Sequence, residues 1–143
     1  MASGRTEKLI EANIVAICKN EPSIVAAFLF GSYARGKEKP SSDIDVALLL
    51  SEKKTVEFST LQFAANMEKK LGNRVDVVIL NSAGEVLKFQ VRRDGKLIFE
   101  RSSKQRKQFE VKSRKRYEDF LYLHRDYAKK VLYGGKNGRS RPD

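Results

Sequence analysis

Two aspartates separated by one residue, Asp43 and Asp45, are the side chains of this sequence best suited to chemistry. They stand at the start of an apolar run that ends at Leu50 and that is typical of a buried strand. Because residues i and i+2 of a strand point to the same face, both carboxylates are predicted to project together. Two like charges side by side repel unless a cation lies between them. The spacing alone is a weak signal, since a strand that merely begins in solvent would show it too.

A third aspartate, Asp76, strengthens the prediction because it lies inside the β-forming run of residues 74–80. Burial of an unpaired carboxylate is costly, so Asp76 is expected to have a partner. One interpretation is an ion pair with Arg74. The other is a third metal ligand that faces Asp43 and Asp45 from a neighbouring strand. Three carboxylates are hard oxygen donors suited to Mg²⁺ or Mn²⁺, and two such ions could clamp an in-line phosphoryl or nucleotidyl displacement.

A Gly-Ser turn upstream of the aspartates predicts a place for phosphate. Gly31 and Ser32 follow the continuous apolar run of residues 24–30. Glycine lets a backbone approach a phosphate closely, and the Ser32 hydroxyl can donate to a terminal phosphate. Arg35 adds positive charge one turn later. An ordinary turn could contain the same residues, but together with the carboxylates they indicate metal-dependent chemistry on a nucleotide.

The positive charge of the chain is concentrated at one end. Of the net charge of +11, nearly all lies in residues 101–143, so we expect this region to meet an acidic protein or RNA phosphates. The single cysteine, Cys18, cannot form an internal disulfide or a thiolate metal site. A polar N-terminus without the apolar core of a signal peptide, and the short apolar runs, favour a cytoplasmic protein.

The hydrophobic pattern alternates between helical and extended segments. A first helix is predicted from Thr6 to the Glu21-Pro22 pair, and a capping box at residues 82–85 is predicted to open a helix that stops at Gly95. The other predicted helices cover residues 55–71 and 103–132, and the predicted strands cover residues 24–30, 43–50, 74–80 and 96–100. We therefore predict an α/β fold, with a small mixed sheet flanked by helices and a long C-terminal helix, and leave the strand order open.

Three regions are predicted along the chain. They are a catalytic core at residues 1–100, a basic helix at residues 101–133 and a disordered tail at residues 134–143. The helix at residues 55–71 is expected to present one apolar face, composed of Phe58, Leu61, Ala65 and Leu71. The long helix is expected to offer only Phe109 and Val111 to a core in its first half. Its second half is expected to carry an apolar face composed of Tyr117, Phe120, Leu121, His124, Ala128 and Val131.

Gly31-Ser32, ten intervening residues, Asp43-Ile44-Asp45 and the later Asp76 resemble the minimal nucleotidyltransferases of the DNA polymerase β superfamily. The resemblance covers roughly residues 24–100. It implies a polymerase-β-type core that transfers a nucleoside monophosphate from an NTP, with ATP as the expected donor, and releases pyrophosphate. It also implies that Asp43 and Asp45 hold both metal ions, and that Asp76 helps to bind the catalytic ion and accepts the proton of the attacking hydroxyl.

The resemblance further implies a protein partner, because small members of this superfamily are often paired with HEPN-domain toxins and some adenylylate a toxin tyrosine as antitoxins. The chain has room for a catalytic core and one helix, so the acceptor must be held by another chain or by the basic helix. Two alternatives remain open: a non-catalytic partner that neutralises a toxin, and a transferase for a small molecule or an RNA end. His124 is predicted to be packed rather than catalytic, and its spacing from Arg116 is longer than the HEPN ribonuclease motif.

Overall fold

The computed structural model describes the backbone of residues 2–31, 43–52 and 58–132, with side chains from residue 7 to residue 126 within those ranges. The helices are α1 (Ala2–Lys19), α2 (Thr60–Leu71), α3 (Glu85–Asp94) and α4 (Ser103–Leu132). The strands are β1 (Ile24–Phe30), β2 (Ile44–Leu50), β3 (Val75–Ile79) and β4 (Lys96–Glu100), and a 3-10 turn covers Leu80–Ser82. None of the helices in the described ranges is long and apolar enough to cross a membrane.

The four strands form one mixed sheet in the order β3-β2-β1-β4. β1 pairs antiparallel with both β2 and β4, whereas β2 and β3 are parallel. This sheet with its flanking helices and the long α4 confirms the predicted fold class. The parallel pair requires a crossover connection, which α2 supplies between β2 and β3.

Each face of the sheet packs against its own pair of helices. On one face, Ile14 and Cys18 of α1 and Phe63 and Met67 of α2 pack against the sheet. On the other face, Val91 of α3 and further residues of α3 and α4 form a second apolar cluster. β1 is therefore buried on both faces, as its continuous apolar run predicted. Burial raises the pKa of the Cys18 thiol to about 12, so this thiol is protonated at neutral pH.

The predicted N-terminal ends of three helices are wrong. Helix α1 begins at Ala2, so Thr6 lies inside it rather than at its N-cap. Helix α2 begins at Thr60, where the Ser59 hydroxyl accepts a hydrogen bond from the N–H of Gln62 at 3.2 Å. Gly84 precedes α3 without a side-chain cap, so the predicted capping box does not form. The predicted stop of α2 is confirmed, since Gly72 adopts a left-handed conformation there with φ 77°.

The predicted apolar faces of α2 and α4 are wrong in part. Phe63 and Met67 are the buried residues of α2, whereas Leu61 is 83% exposed. Phe58 and Leu71 pack against the core as predicted, but Ala65 is exposed. In the first half of α4, Phe109 joins the second cluster while Val111 is 65% exposed. The helix instead turns the buried Ser113 toward the domain.

Arg101, at the junction of β4 and α4, ties together two distant parts of the chain. Its guanidinium donates hydrogen bonds to the carbonyl oxygens of Ile24 at 2.9 Å and Cys18 at 2.8 Å. It also reaches the carbonyls of Lys19 and Glu21, both at 3.3 Å. The last carbonyl groups of a helix have no partner within the helix, so one side chain here satisfies the end of α1 and fixes the start of β1.

We predict that Met67→Ala destabilises the protein by about 2–5 kcal/mol, because it leaves a cavity in the core between α2 and the sheet. The matched control, Leu61→Ala on the same helix, removes an exposed side chain and should change the free energy of unfolding by less than about 0.5 kcal/mol. Urea unfolding measures both. If the larger loss came from Leu61→Ala, the orientation of α2 described above would be incorrect.

Candidate active site

The sheet brings two of the three predicted aspartates together. In the parallel pairing of β2 and β3, the residue directly opposite Asp45 is Asp76, and on the other side Asp45 lies opposite Phe30 of β1. Neighbouring strands are about 4.8 Å apart, and residues in register point to the same face. Asp45 and Asp76 therefore project side by side. They share the sheet face with Ala47 and Phe28, which belong to the cluster under α3 and α4.

Gly31 makes room for the carboxylate of Asp45. It adopts φ 76°, and a Cβ atom added to it would lie 2.1 Å from Oδ2 of Asp45 and 3.0 Å from its Cγ. Any other residue would collide with this carboxylate and would also adopt an unfavourable backbone conformation. The sequence had suggested a different reason for this glycine, close approach to phosphate, and that role stays a prediction. Ser32 and Arg35 lie outside the described residues.

Asp43 lies one residue before β2 and is exposed. The start of β2 is held by the N–H of Ile44, which donates to the carbonyl of Arg74 at 2.8 Å. The alternation of side chains places Asp43 on the same side as Asp45, at the open end of the parallel pair. The predicted shared orientation of the two aspartates is thus compatible with the backbone, while their roles as ligands stay a prediction.

Asp76 is not buried, which corrects the reasoning that singled it out. Its side chain is 52% exposed on the edge strand β3, and Nε of Arg74 lies 3.9 Å from its Oδ1. Arg74 itself is 73% exposed, so this contact is a loose surface ion pair worth at most about 1 kcal/mol. The predicted ion pair with Arg74 therefore forms but is weak, and Asp76 stays accessible to a ligand.

The carboxylates do not form a closed metal cage by themselves. In the ranges 2–31, 43–52 and 58–132, no three His, Cys, Asp or Glu side chains are arranged to hold a metal ion. The fold supplies an adjacent pair of hard oxygen donors, Asp45 and Asp76, and a third carboxylate, Asp43, one residue before β2. Such an open arrangement is chemically suited to Mg²⁺, which keeps several ligands from water and substrate phosphates.

Two polar groups that no sequence pattern indicates are buried on the same side of the sheet. Lys88 of α3 is only 5% exposed and lies 3.2 Å from Oε2 of Glu85. Ser113 of α4 is 3% exposed. A lysine or serine in an amphipathic helix is usually solvated, so only the packing of α3 against α4 reveals that these two residues face inward.

His124 continues a ladder of stacked rings along the surface of α4. Phe89 of α3 stacks on Tyr117 with ring centroids 4.4 Å apart, Tyr117 is followed by Phe120 at 6.2 Å, and Phe120 stacks on His124 at 5.5 Å. The histidine is exposed but in ring contact. The ring contact with Phe120 agrees with a packed imidazole, and the prediction that His124 takes no part in the chemistry stays a prediction.

Comparison with known proteins identifies the class. The model of the family described as polymerase beta, nucleotidyltransferase, matches residues 12–104, which is more than half of the chain. The chain therefore belongs to this family of nucleotidyltransferases. The matched segment contains the three aspartates and both residues of the Gly-Ser turn, so the family assignment and the site concern the same part of the molecule.

Individual proteins that are similar to this chain indicate which group of nucleotidyltransferases it resembles. The chain is 34% identical over 95 residues to protein adenylyltransferase MntA of Shewanella oneidensis, which covers 65% of this chain and 67% of that protein. It is similar in structure to a chain of a toxin-antitoxin crystallised with AMP-PNP, with a TM-score of 0.71 and 28% identity over 83% of this chain and 95% of that chain. A second similar structure is that of a tri-AMPylated HEPN toxin of Shewanella oneidensis in complex with MNT antitoxin. The comparison with a chain of that complex gives a TM-score of 0.68 and 26% identity, and it covers 86% of this chain and 96% of that chain. These findings confirm the resemblance to minimal nucleotidyltransferases of HEPN pairs.

We predict an energetic coupling between positions 31 and 45, since the carboxylate of Asp45 occupies the space of a Cβ atom at Gly31. Gly31→Ala alone should destabilise through both backbone strain and the clash, and adding Asp45→Ala should relieve the clash. Urea unfolding of the double-mutant cycle should therefore give a coupling of about 0.5–3 kcal/mol. Gly72, with the same positive φ and open space around its Cα, is the matched control. Gly72→Ala and Asp45→Ala should be additive, and additivity in both cycles would disprove the contact.

Proposed function

We propose that this nucleotidyltransferase moves AMP from ATP to a hydroxyl of a HEPN-domain toxin and thereby acts as an antitoxin. The observation that carries the proposal is the in-register pair Asp45 and Asp76 beside Gly31, within a chain of the nucleotidyltransferase family. The named activity of the relative MntA and the AMPylated toxin in a structural neighbour support AMP as the transferred group and a protein as the acceptor.

Asp43, Asp45 and Asp76 would hold Mg²⁺ together with oxygens of the substrate phosphates and water, since Asp45 and Asp76 are adjacent in the parallel pair and Asp43 precedes the same strand β2. Bound Mg²⁺ would neutralise the charge that develops on the transferred phosphoryl group. The acceptor oxygen forms a bond to the α-phosphorus, while the bond from that phosphorus to the oxygen bridging to the β-phosphate breaks and pyrophosphate leaves. The carboxylate of Asp76, which is 52% exposed, would accept the hydroxyl proton.

The outer part of α4 offers a surface for the toxin. Helix α4 contacts α3 and the sheet through its first half, and farther along the exposed fractions are 42% for Leu121, 67% for Tyr122 and 66% for Leu123. Consecutive residues of a helix point about 100° apart, so these three exposed apolar side chains spread around α4, and a partner packed along this part of the helix would contact some of them. Exposed basic residues surround them along the helix, so the surface suits an acidic protein, and RNA contact through the same charges is the alternative.

Replacing both motif aspartates should abolish transfer. We expect Asp43→Asn/Asp45→Asn to reduce incorporation of label from α-labelled ATP into the purified toxin by about 10²-fold or more, because the charge that holds the cation is removed. Glu21→Gln, a carboxylate in the turn after α1 on the other face of the sheet, is the control and should transfer at the wild-type rate.

The same assay separates the proposal from its alternatives. Equal labelling by the double variant and the wild type would disprove the assigned site. A wild-type protein that neutralises the toxin without labelling it would establish a non-catalytic partner. Labelling of RNA or of a small molecule in place of the toxin would establish a different acceptor.

Docking through α4 should be sensitive to a charge placed on its apolar surface. We predict that Leu123→Asp weakens toxin binding about tenfold or more, since it buries an unpaired charge in the interface. Leu61→Asp introduces the same change at an exposed leucine of α2 and should leave binding unchanged. Surface plasmon resonance with the catalytically inactive double variant as background measures affinity without modification of the toxin. Equal affinities for both variants would exclude this surface as the interface.

A further inference from the structure

A cavity of about 210 Å³ lies between the sheet and the two helices α3 and α4. This volume is several times the roughly 30 Å³ that one water molecule occupies in the liquid, so it can hold part of an organic ligand. Its walls combine aromatic, aliphatic and polar side chains, among them Phe28, Lys88, Leu97, Arg106, Phe109 and Ser113.

The cavity lies on the sheet face that carries the aspartates. Its wall residue Phe28 lies two positions before Phe30, the residue opposite Asp45, so the two points are separated by about 7 Å along the strand. Two larger clefts of the described structure lie elsewhere. One is at the opposite end of the sheet, beside Leu50 and Asn81, and the other lies between α1 and α2 on the other face. Of these three cavities among the described residues, the smaller one is thus the nearest to the carboxylate pair.

The charges around the cavity do not fit an anion. Arg106 is engaged by Glu100 and Glu110, and the hydrogen bond to Glu100 is the main reason that its pKa is raised above its ordinary value. Lys88 is paired with Glu85. Two of the three cations at the wall are thus paired with carboxylates, and the third, Arg92, lies over the rings of Phe89 and Tyr117. With Glu85, Glu100 and Glu110 beside them, the three positive charges meet three negative ones, so a phosphate would find little excess positive charge here. The walls instead favour a ligand that is flat, largely apolar and neutral.

Polar capacity nevertheless remains at one side of the cavity. The ammonium of Lys88 has three donors, and it lies 6.0 Å from the centroid of the Phe109 ring in addition to its contact with Glu85. Within the described residues, Oε1 of Glu85 is buried without a hydrogen-bond partner. Lys88 lines the cavity whereas Glu85 lies behind it, so the remaining donor capacity of the buried ammonium can serve a ligand with a hydrogen-bonding edge.

We propose that this cavity receives the nucleobase of the donor nucleotide while its phosphates lie at Asp45 and Asp76. The inference rests on the proposed function, because it concerns the donor of that same reaction. A nucleobase has the required properties: two apolar π-faces that can lie against Phe28 and Phe109, and an edge of ring nitrogens and exocyclic groups that can accept from Lys88. Lys88 and Ser113 then act on donor affinity and selectivity rather than on the transfer step.

The test fills the cavity and compares a ligand that has a base with one that lacks it. Ser113→Met places a larger side chain into the cavity, and Val111→Met is the matched control, because it introduces the same residue at an exposed position of the same helix. Isothermal titration calorimetry with Mg²⁺ measures binding of ATP and of inorganic tripolyphosphate. We expect Ser113→Met to weaken ATP binding about tenfold or more and to leave tripolyphosphate binding unchanged, since loss of base stacking affects only ATP. Val111→Met should change neither.

A second variant keeps the test decisive if Ser113→Met does not fold. Lys88→Met retains most of the side-chain stem, and we expect it to weaken ATP but not tripolyphosphate. Unchanged ATP affinity in a folded cavity variant, or an equal loss for both ligands, would overturn the inference while leaving adenylyl transfer intact. A wild-type protein that binds ATP no more tightly than tripolyphosphate would overturn it as well. Absence of any ATP binding by the wild type would instead overturn the proposed function itself.

Discussion

The alternation of side chains along β2 is the constraint on which the site depends. Ile44 and Val46 are fully buried against α1 and α2, so Asp45 between them must point to the opposite face. A shift of one residue in the pairing would turn the carboxylate into the core under α1 and α2 and move both apolar neighbours to the opposite face. The strand is held against this slip near both ends, at Ile44 by the carbonyl of Arg74 and at Leu50 by two hydrogen bonds of 2.9 Å with the Asn81 side chain. The free energy of core packing thereby fixes the position of a charged group outside the core.

The two faces of the sheet consequently have different roles. The face under α1 and α2 is closed by large apolar side chains and contains little polar capacity in its described part. The face under α3 and α4 is incompletely filled, holds the buried Lys88 and Ser113, and borders the carboxylate pair. A less completely packed face costs stability, but it leaves the space that a substrate requires. The closed face provides the rigid support against which the reactive face is aligned.

Local patterns predicted what depends on neighbours in sequence. The buried strand β1, the long helix α4 and the stop at Gly72 were predicted correctly, because an apolar run, a helical repeat and a left-handed glycine are local signals. The strand order was not predictable, since pairing depends on contacts between distant segments. The face of α2 was predicted wrongly because its apolar residues satisfy two helical stripes, and only the sheet selects the one with Met67. The carboxylates were found by their spacing, yet the steric reason for Gly31 needed the pairing of β1 with β2.

Arg101 links the basic C-terminal helix to the N-terminal part of the chain, although the charge distribution suggests two separate parts. The nearly neutral part of the sequence ends, and the basic part begins, at Arg101. The backbone of this residue lies in the β4–α4 junction, and its guanidinium donates hydrogen bonds to the carbonyl of Cys18 at the end of α1 and to that of Ile24 at the start of β1. Exchanging α4 between relatives would thus disturb the first helix unless the arginine moved with it. Substitutions in the outer half of α4 would leave this tie between β4, α4 and α1 in place, so that half can change its surface without disturbing the first helix.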